Sequence, residues 1–199
     1  MVCWGLFKKV FIADNLAKIV DPVFSTTNPI SGAEVLIAVY AFAFQIYGDF
    51  SGYSSIAIGV AKWLGFDLVQ NFRQPYFAAS ASEFWRRWHI SLSSWLRDYL
   101  YIPLGGNKGG SVATYRNLTI TMLLGGLWHG AGWTFVIWGA LHGVFLLINH
   151  AWRALVGKVR AKHDGVLSAW EQWIYRIITF SAVTMALVIF RADDMAVAG

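Results

Sequence analysis

RNLTITMLLGGLWHGAGWTFVIWGALHGVFLLINHAWR, residues 116–153, decides the fold of this chain. Between Arg116 and Arg153 stand 36 positions without one Asp, Glu, Lys or Arg. A bilayer's hydrocarbon core is about 30 Å thick and takes about 20 helical residues to cross, so this run has the length and polarity of membrane-embedded chain. As a single straight helix it would be about 54 Å long at the helical rise, too long for one untilted span. Four glycines in GGLWHGAGW, residues 125–133, predict a break at its middle. His129 stands at that break. Titratable groups at such depth are costly and face a cavity or the protein interior. Non-helical backbone there is tolerated only where it lines a cavity or is buried in protein. Both points make His129 a candidate site residue. An imidazole that merely bonds a backbone carbonyl in a bundle is the other reading the chemistry leaves open.

The rest of the composition agrees with a membrane protein. Of 199 residues, 57% are hydrophobic and 14% charged, where a soluble domain carries roughly a quarter charged. Mean hydropathy is +0.50. The 11 tryptophans suit the two membrane–water interfaces, where Trp and Tyr collect. A net charge of +5 is compatible with a nucleic-acid binder, but the cations flank apolar spans instead of forming one stripe. Lipid headgroups and cytoplasmic loops account for them, and no nucleic-acid partner is expected. Cys3 is the single cysteine, which excludes an internal disulfide and a cysteine-rich metal site; it is either a lipidation site or inert. No secretory signal opens the chain, since Met1–Phe7 is short and Lys8 and Lys9 follow it. FRADDMAVAG at the other end has no tidy cap, and the chain reads as a piece of a longer protein.

Residues 4–24, WGLFKKVFIADNLAKIVDPVF, place Leu6, Val10, Leu16, Ile19 and Val23 roughly on one side. This predicts an amphipathic helix in the membrane interface, ended by Asp21-Pro22, with residues 25–32 as a loop. Val35 to Ala61 is a 27-residue span in which Asp49 is the only charge. Its centre, QIYGDFSGYSS, is rich in small and hydroxylated residues that let helices approach closely. Asp49 is expected to be a structural carboxylate paired with Arg73, Arg86 or Arg97, with a catalytic or substrate-binding role as the alternative. Residues 62–116 carry seven Lys/Arg against three Asp/Glu and belong on the cytoplasmic side. Ser80 and Glu83 have capping-box spacing, which starts a helix near Ala81. Trp85, Trp88, Leu92, Trp95 and Tyr99 then recur at helical steps, predicting one helix that ends before Pro103 with His89 close to its buried side. GGNKGG, residues 105–110, is a turn. Residues 153–165 read as a basic loop, and Trp170–Phe190 as the last span. The fold class expected is all-α, a polytopic transmembrane bundle with interfacial amphipathic helices.

A neutral imidazole within reach of a hydroxyl is a general base typically worth ~10²–10⁴ in rate. A buried histidine with one polar partner suffices to move an acyl group from an activated thioester to an alcohol. Neither G-x-S-x-G nor H-E-x-x-H is present, so elbow-type hydrolase and helix-borne zinc chemistry lack their usual support.

Four blocks in order, GLFKKVFIADNLA (5–17), QIYGDFSGYSSIAIGVAKWLGF (45–66), FWRRWHISLSSWLRDYLYIPLGGNKGG (84–110) and RNLTITMLLGGLWHGAGWTFVIWGALHG (116–143), resemble the membrane-bound O-acyltransferase family, and within it the alginate O-acetylation branch. The resemblance implies that His129 is the catalytic histidine and that His89, 40 positions earlier, is the second active-site residue. It implies an acetyltransferase of the bacterial inner membrane, crossing it several times, with an exported polysaccharide such as alginate as acceptor and periplasmic acetyl-transfer proteins as partners. The donor would be acetyl-CoA or an acyl-carrier thioester, with no bound cofactor and no metal. Arg86, Arg87 and Arg97 would attract the donor's phosphates, with Trp128 and Asp49 as further binding residues. Family members carry more helices before Gly5, so residues 1–199 would form one partial domain of that family.

Two other functions fit parts of the pattern. A haem- or metal-binding electron carrier would use His129, His142 and His150, but His129 and His142 lie about 20 Å apart on a continuous helix. A transporter with a broken helix at Gly125–Gly132 would use the same glycines.

Overall fold

The computed structural model describes residues 1–26, 29–160 and 168–192, and for 157–160 the backbone alone. The described residues are helical or irregular and contain no strand. Three of their helices are long and apolar enough to cross a membrane: Gly32–Trp63, Trp133–Val156 and Ala169–Arg191.

The chain opens with α1 (Val2–Leu6), a π-helical stretch (Phe7–Ala13) and α2 (Asp14–Ser25). The end expected at Asp21-Pro22 does not occur: the helix passes through Pro22 to Ser25, whose hydroxyl bonds the Asp21 carbonyl at 2.7 Å. A proline inside a helix costs about 3 kcal/mol, and packing of α2 on the next helix offsets it.

That next helix, α3 (Gly32–Trp63), begins at a complete capping box between Ser31 and Glu34 and extends the expected span at both ends. The small residues at its centre let the opening helices lie against it backbone to backbone. A methyl group on Gly52 would sit 2.8 Å from the Gly5 carbonyl oxygen, and one on Gly5 2.6 Å from that of Gly52. Lys8 Nζ donates to the Ser51 carbonyl at 2.8 Å and the Ser55 hydroxyl at 2.9 Å. Asp49 is ion-paired, as a structural carboxylate would be, but with Lys9 and not with Arg73, Arg86 or Arg97. The close glycine contacts set the π-helical stretch beside α3, which brings Lys9 within reach, while the three arginines sit on other elements.

The single helix expected from Ala81 to Pro103 is two short helices, α4 (Ala81–Arg87) and α5 (Ile90–Leu96), followed by a π-helical turn (Arg97–Tyr101). Trp88 and Leu92 are buried, whereas Trp95 and Tyr99, expected on the same stripe, are exposed because the break turns them away. The box at Ser80 is half formed. Its hydroxyl accepts from Glu83 N at 3.2 Å, but Glu83 accepts from Ala79 N and pairs with Arg87. Gly105, Gly106, Gly109 and Gly110 all have left-handed φ, so the expected turn is present.

The uncharged run breaks where its glycines indicate. α6 (Gly110–His129) ends at the histidine, Gly130–Gly132 turn the chain, and α7 (Trp133–Arg160) packs back on α6. α7 continues through the first basic residues expected in the 153–165 loop; residues 161–165 and most of FRADDMAVAG lie outside the described residues. α8 (Ala169–Arg191) covers α7 and α3, with Arg191 paired to Asp21 at 3.2 Å. Phe72, Phe84, Trp88 and Val183 form a buried cluster ringed by Tyr47, Phe50 and Tyr76.

The α6–α7 contact is the tightest glycine contact among the described residues: a methyl group on Gly126 would lie 2.3 Å from the Phe135 carbonyl, and one on Gly139 2.5 Å from that of Met122. Gly126→Val therefore forces the hairpin apart. Overpacking of this kind costs about 1–3 kcal/mol, and the expected outcome is a lower unfolding temperature in detergent and reduced accumulation in membranes. Gly32→Ala, where a methyl group meets nothing within 4 Å, should leave both unchanged.

Candidate active site

His89 sits in the break between α4 and α5 with φ 43° and ψ 55°, a left-handed conformation that a non-glycine residue adopts only when its surroundings fix it. Residues 71–73 do the fixing. Ile90 N donates to the Asn71 carbonyl at 3.0 Å, the Asn71 side chain accepts from Ser91 N and its hydroxyl at 3.0 and 2.7 Å, and Arg73 N donates to the Arg87 carbonyl at 2.9 Å. The imidazole Nδ1 accepts from Leu92 N at 3.3 Å and so caps α5. Nε2 is then the nitrogen left for the cavity. Burial pushes the His89 pKa below its ordinary 6.5, so the ring is neutral at pH 7.

His129 ends α6. Its ring lies edge-on to Trp128 at 5.0 Å, Trp138 at 5.2 Å and Phe190 at 5.4 Å. Among the described residues no hydrogen-bond partner occupies either of its nitrogens, so the backbone-bonded reading does not describe it. His89 and His129 line one cavity of about 300 Å³. Trp128 stands between them, edge-on to His89 at 6.0 Å, and Phe50 closes on His89 from the other side at 4.7 Å. Asp49 also lines this cavity. Tyr76 fixes part of the wall by donating its hydroxyl to the Ala43 carbonyl at 2.5 Å.

The arginines are elsewhere. Arg86 and Arg87 line a separate cleft with Gln70, Arg73 and Gln74. Arg87 is held by Glu83 at 2.5 Å, while the guanidinium groups of Arg73 and Arg86 have no carboxylate partner among the described residues. Arg97 does not join them; it pairs with its neighbour Asp98 at 2.7 Å on the exposed face. A third, mostly apolar cavity of about 400 Å³ lies between α7 and α8 and contains no histidine.

The family pattern described as MBOAT, membrane-bound O-acyltransferase family, matches residues 1–190. The chain belongs to the membrane-bound O-acyltransferase family. It is 52% identical to the "Probable alginate O-acetylase AlgI" of Pseudomonas aeruginosa over 98% of this chain and 35% of that protein. It is 44% identical to the "Peptidoglycan O-acetyltransferase" of Helicobacter pylori over 96% of this chain and 35% of that protein. It is 35% identical to the "Teichoic acid D-alanyltransferase" of Streptococcus thermophilus over 76% of this chain and 40% of that protein. The chain thus spans little more than a third of the length of these relatives.

For a membrane-bound O-acyltransferase, the placement of the remaining histidines is informative. Only on a continuous helix would His129 and His142 lie about 20 Å apart. Because the chain reverses at Gly130–Gly132, both rings meet Trp138 and line the same cavity. His150 is exposed beside Tyr115, away from them. Among the described residues no three His, Cys, Asp or Glu are grouped to share a metal ion. Sequence reasoning missed Arg73 in the cleft and His142 in the cavity wall; the reversal at the glycines was the available signal for the second.

The backbone at residue 89 yields a test. Asn tolerates left-handed φ and caps helices, so His89→Asn should unfold within about 1 kcal/mol of the parent, whereas His89→Val, β-branched at positive φ and without a cap, should lose about 2–4 kcal/mol. Thermal unfolding of the two variants in detergent measures the difference.

Proposed function

We propose that this chain carries the active centre of a membrane O-acyltransferase that moves an acetyl group from a thioester to hydroxyls of an exported polysaccharide such as alginate. The observation that carries the reading is that the imidazoles of residues 89 and 129 open on one cavity with Trp128 between them. His129, with both nitrogens unclaimed, takes the proton of the acceptor hydroxyl. The oxygen attacks the thioester carbonyl, the C–S bond breaks, and the departing thiolate recovers the proton from the imidazolium. His89, its Nδ1 committed to capping α5, presents Nε2–H to the thioester carbonyl and steadies the oxyanion that forms there. The aromatic wall excludes water, which strengthens both interactions.

The donor is acetyl-CoA or an acyl-carrier thioester. Arg73, Arg86 and Arg87 give its phosphates a cationic approach on the α4 side, and Arg97, neutralised by Asp98, is left out of that role. Asp49, held by Lys9, and Trp128 shape the wall. The relatives' names each pair an acyl group with a polymer, alginate, peptidoglycan or teichoic acid, which supports a polymer acceptor. The corresponding partners are periplasmic acetyl-transfer proteins, and the location is the bacterial inner membrane, crossed several times. A transporter would use the same broken helix, but the family membership favours transfer over transport.

In the full-length protein, His129→Ala should abolish acetylation of the surface polymer, read by mass spectrometry, with membrane insertion intact; retained acetylation removes the proposal. The pH profile has a defined sign. Since burial lowers the His89 pKa, the ring stays neutral from alkaline pH down past 6.5, and protonation below that takes the Nδ1 acceptor from Leu92 N and unseats the imidazole. Transfer rates measured in membrane vesicles should hold from pH 8 to 6.5 and fall below that, and a fall beginning above pH 7 contradicts the assignment.

A further inference from the structure

One wall of the cavity holds a group that this mechanism does not use. His142, on α7, is 1% exposed, and neither Nδ1 nor Nε2 has a hydrogen-bond partner among the described residues. Its neighbours are aromatic: Trp138 at 4.7 Å, Trp85 at 5.0 Å, Phe145 at 5.6 Å and Phe84 at 6.2 Å. The indole Nε1 atoms of Trp138 and Trp85 are likewise buried without partners. Buried polar atoms are nearly always hydrogen-bonded, and leaving one unpaired costs roughly 1–3 kcal/mol. Three side chains left so at one place mark a surface shaped for something other than this chain.

Resting on the acyltransferase reading above, we infer that His142 and Trp138 form the seat of the acyl group, their N–H donors directed at its carbonyl oxygen. The chemistry of the wall selects this ligand class. A charged group is excluded because the ring contacts of His142 are all aromatic and the one carboxylate lining the cavity, Asp49, is tied to Lys9. A sugar unit brings several hydroxyls, each needing partners, to a wall that offers few. A short acyl group brings one oxygen, which as an oxyanion has three lone pairs for the donors of His89, His142 and Trp138, and an apolar tail that suits Phe84, Val183 and Leu187. Trp138 is edge-on to both His142 and His129, so the seat adjoins the base that activates the acceptor.

The test replaces the full-length gene with variants and follows the initial rate of ester appearance on the surface polymer by mass spectrometry, per mole of protein in the membrane, in cells fed butyrate. His142→Phe should lower acetyl transfer at least tenfold, and His142→Asn, which retains an N–H donor, should lose less. His142→Ala, which enlarges the seat, should raise the ratio of butyryl to acetyl ester at least tenfold, an effect that loss of packing alone does not produce. If His142→Phe fails to accumulate, His142→Asn and Trp138→Phe decide on the same readouts. Parental rates and an unchanged ester ratio in the accumulating variants overturn the seat. His129→Ala run alongside separates the failures: transfer lost there but unaffected at residue 142 sinks only the seat, whereas transfer surviving His129→Ala sinks the acyltransferase centre itself.

Discussion

The approach of α6 and α7 at Gly126 and Gly139 is the contact on which the site depends. With no Cβ on either residue, the two backbones come within van der Waals distance, and a methyl group on one or the other would meet a carbonyl at 2.3 or 2.5 Å. That closeness turns a 36-residue apolar run into a hairpin. His129 at the end of α6 and His142 three turns into α7 then meet across Trp138. Without a hydrophobic drive between helices in lipid, such contacts rest on close packing of small residues. Here the same glycines supply the tightest glycine contact among the described residues and the geometry of the cavity.

The opposite wall is made by another departure from regular helix. Asn71 reaches across to the start of α5 and takes three donors, two from backbone and one from the Ser91 hydroxyl, that would otherwise be left unpaired at a helix N-terminus. This clamp holds His89 in left-handed backbone, a conformation costing of order 1–3 kcal/mol that persists where its surroundings over-determine it. The strain sets the imidazole against Phe50 and Trp128.

Much of this was legible in the residues. The 27-residue span before Lys62, the glycines at 125–132 and the turn at 105–110 each have a local cause, and local causes can be read along a sequence. What escaped reading depends on contacts between distant residues. The break at His89 carries no proline or glycine; its cause is Asn71, 18 positions earlier. Asp49 could be read as a paired carboxylate, but its partner Lys9 was settled by glycine-to-glycine packing that only the folded chain displays. By propensity Pro22 is a stop, and tertiary packing overrides it. His142 lies far from His129 only on a straight helix, and the glycines at 130 and 132 are the local sign that the chain turns between them.

The aromatic character of the cavity suits the imidazole base proposed for it. In water a histidine is readily protonated and its hydrogen bonds are weak, because solvent screens them and competes for them. Rings packed edge-on around His89 and His129 do not titrate, and their bulk leaves room for a substrate but little for bulk water. The cationic side chains are held back from this space: Lys9 is spent on Asp49, Arg97 on Asp98, and Arg87 on Glu83. A guanidinium placed beside either histidine would favour the neutral ring but would also trap the negative charge that develops on the acyl oxygen and slow its collapse. With cations paired off and neutral dipoles lining the cavity, the proton transfer proposed above would run from acceptor to leaving group without an ion to hold it midway.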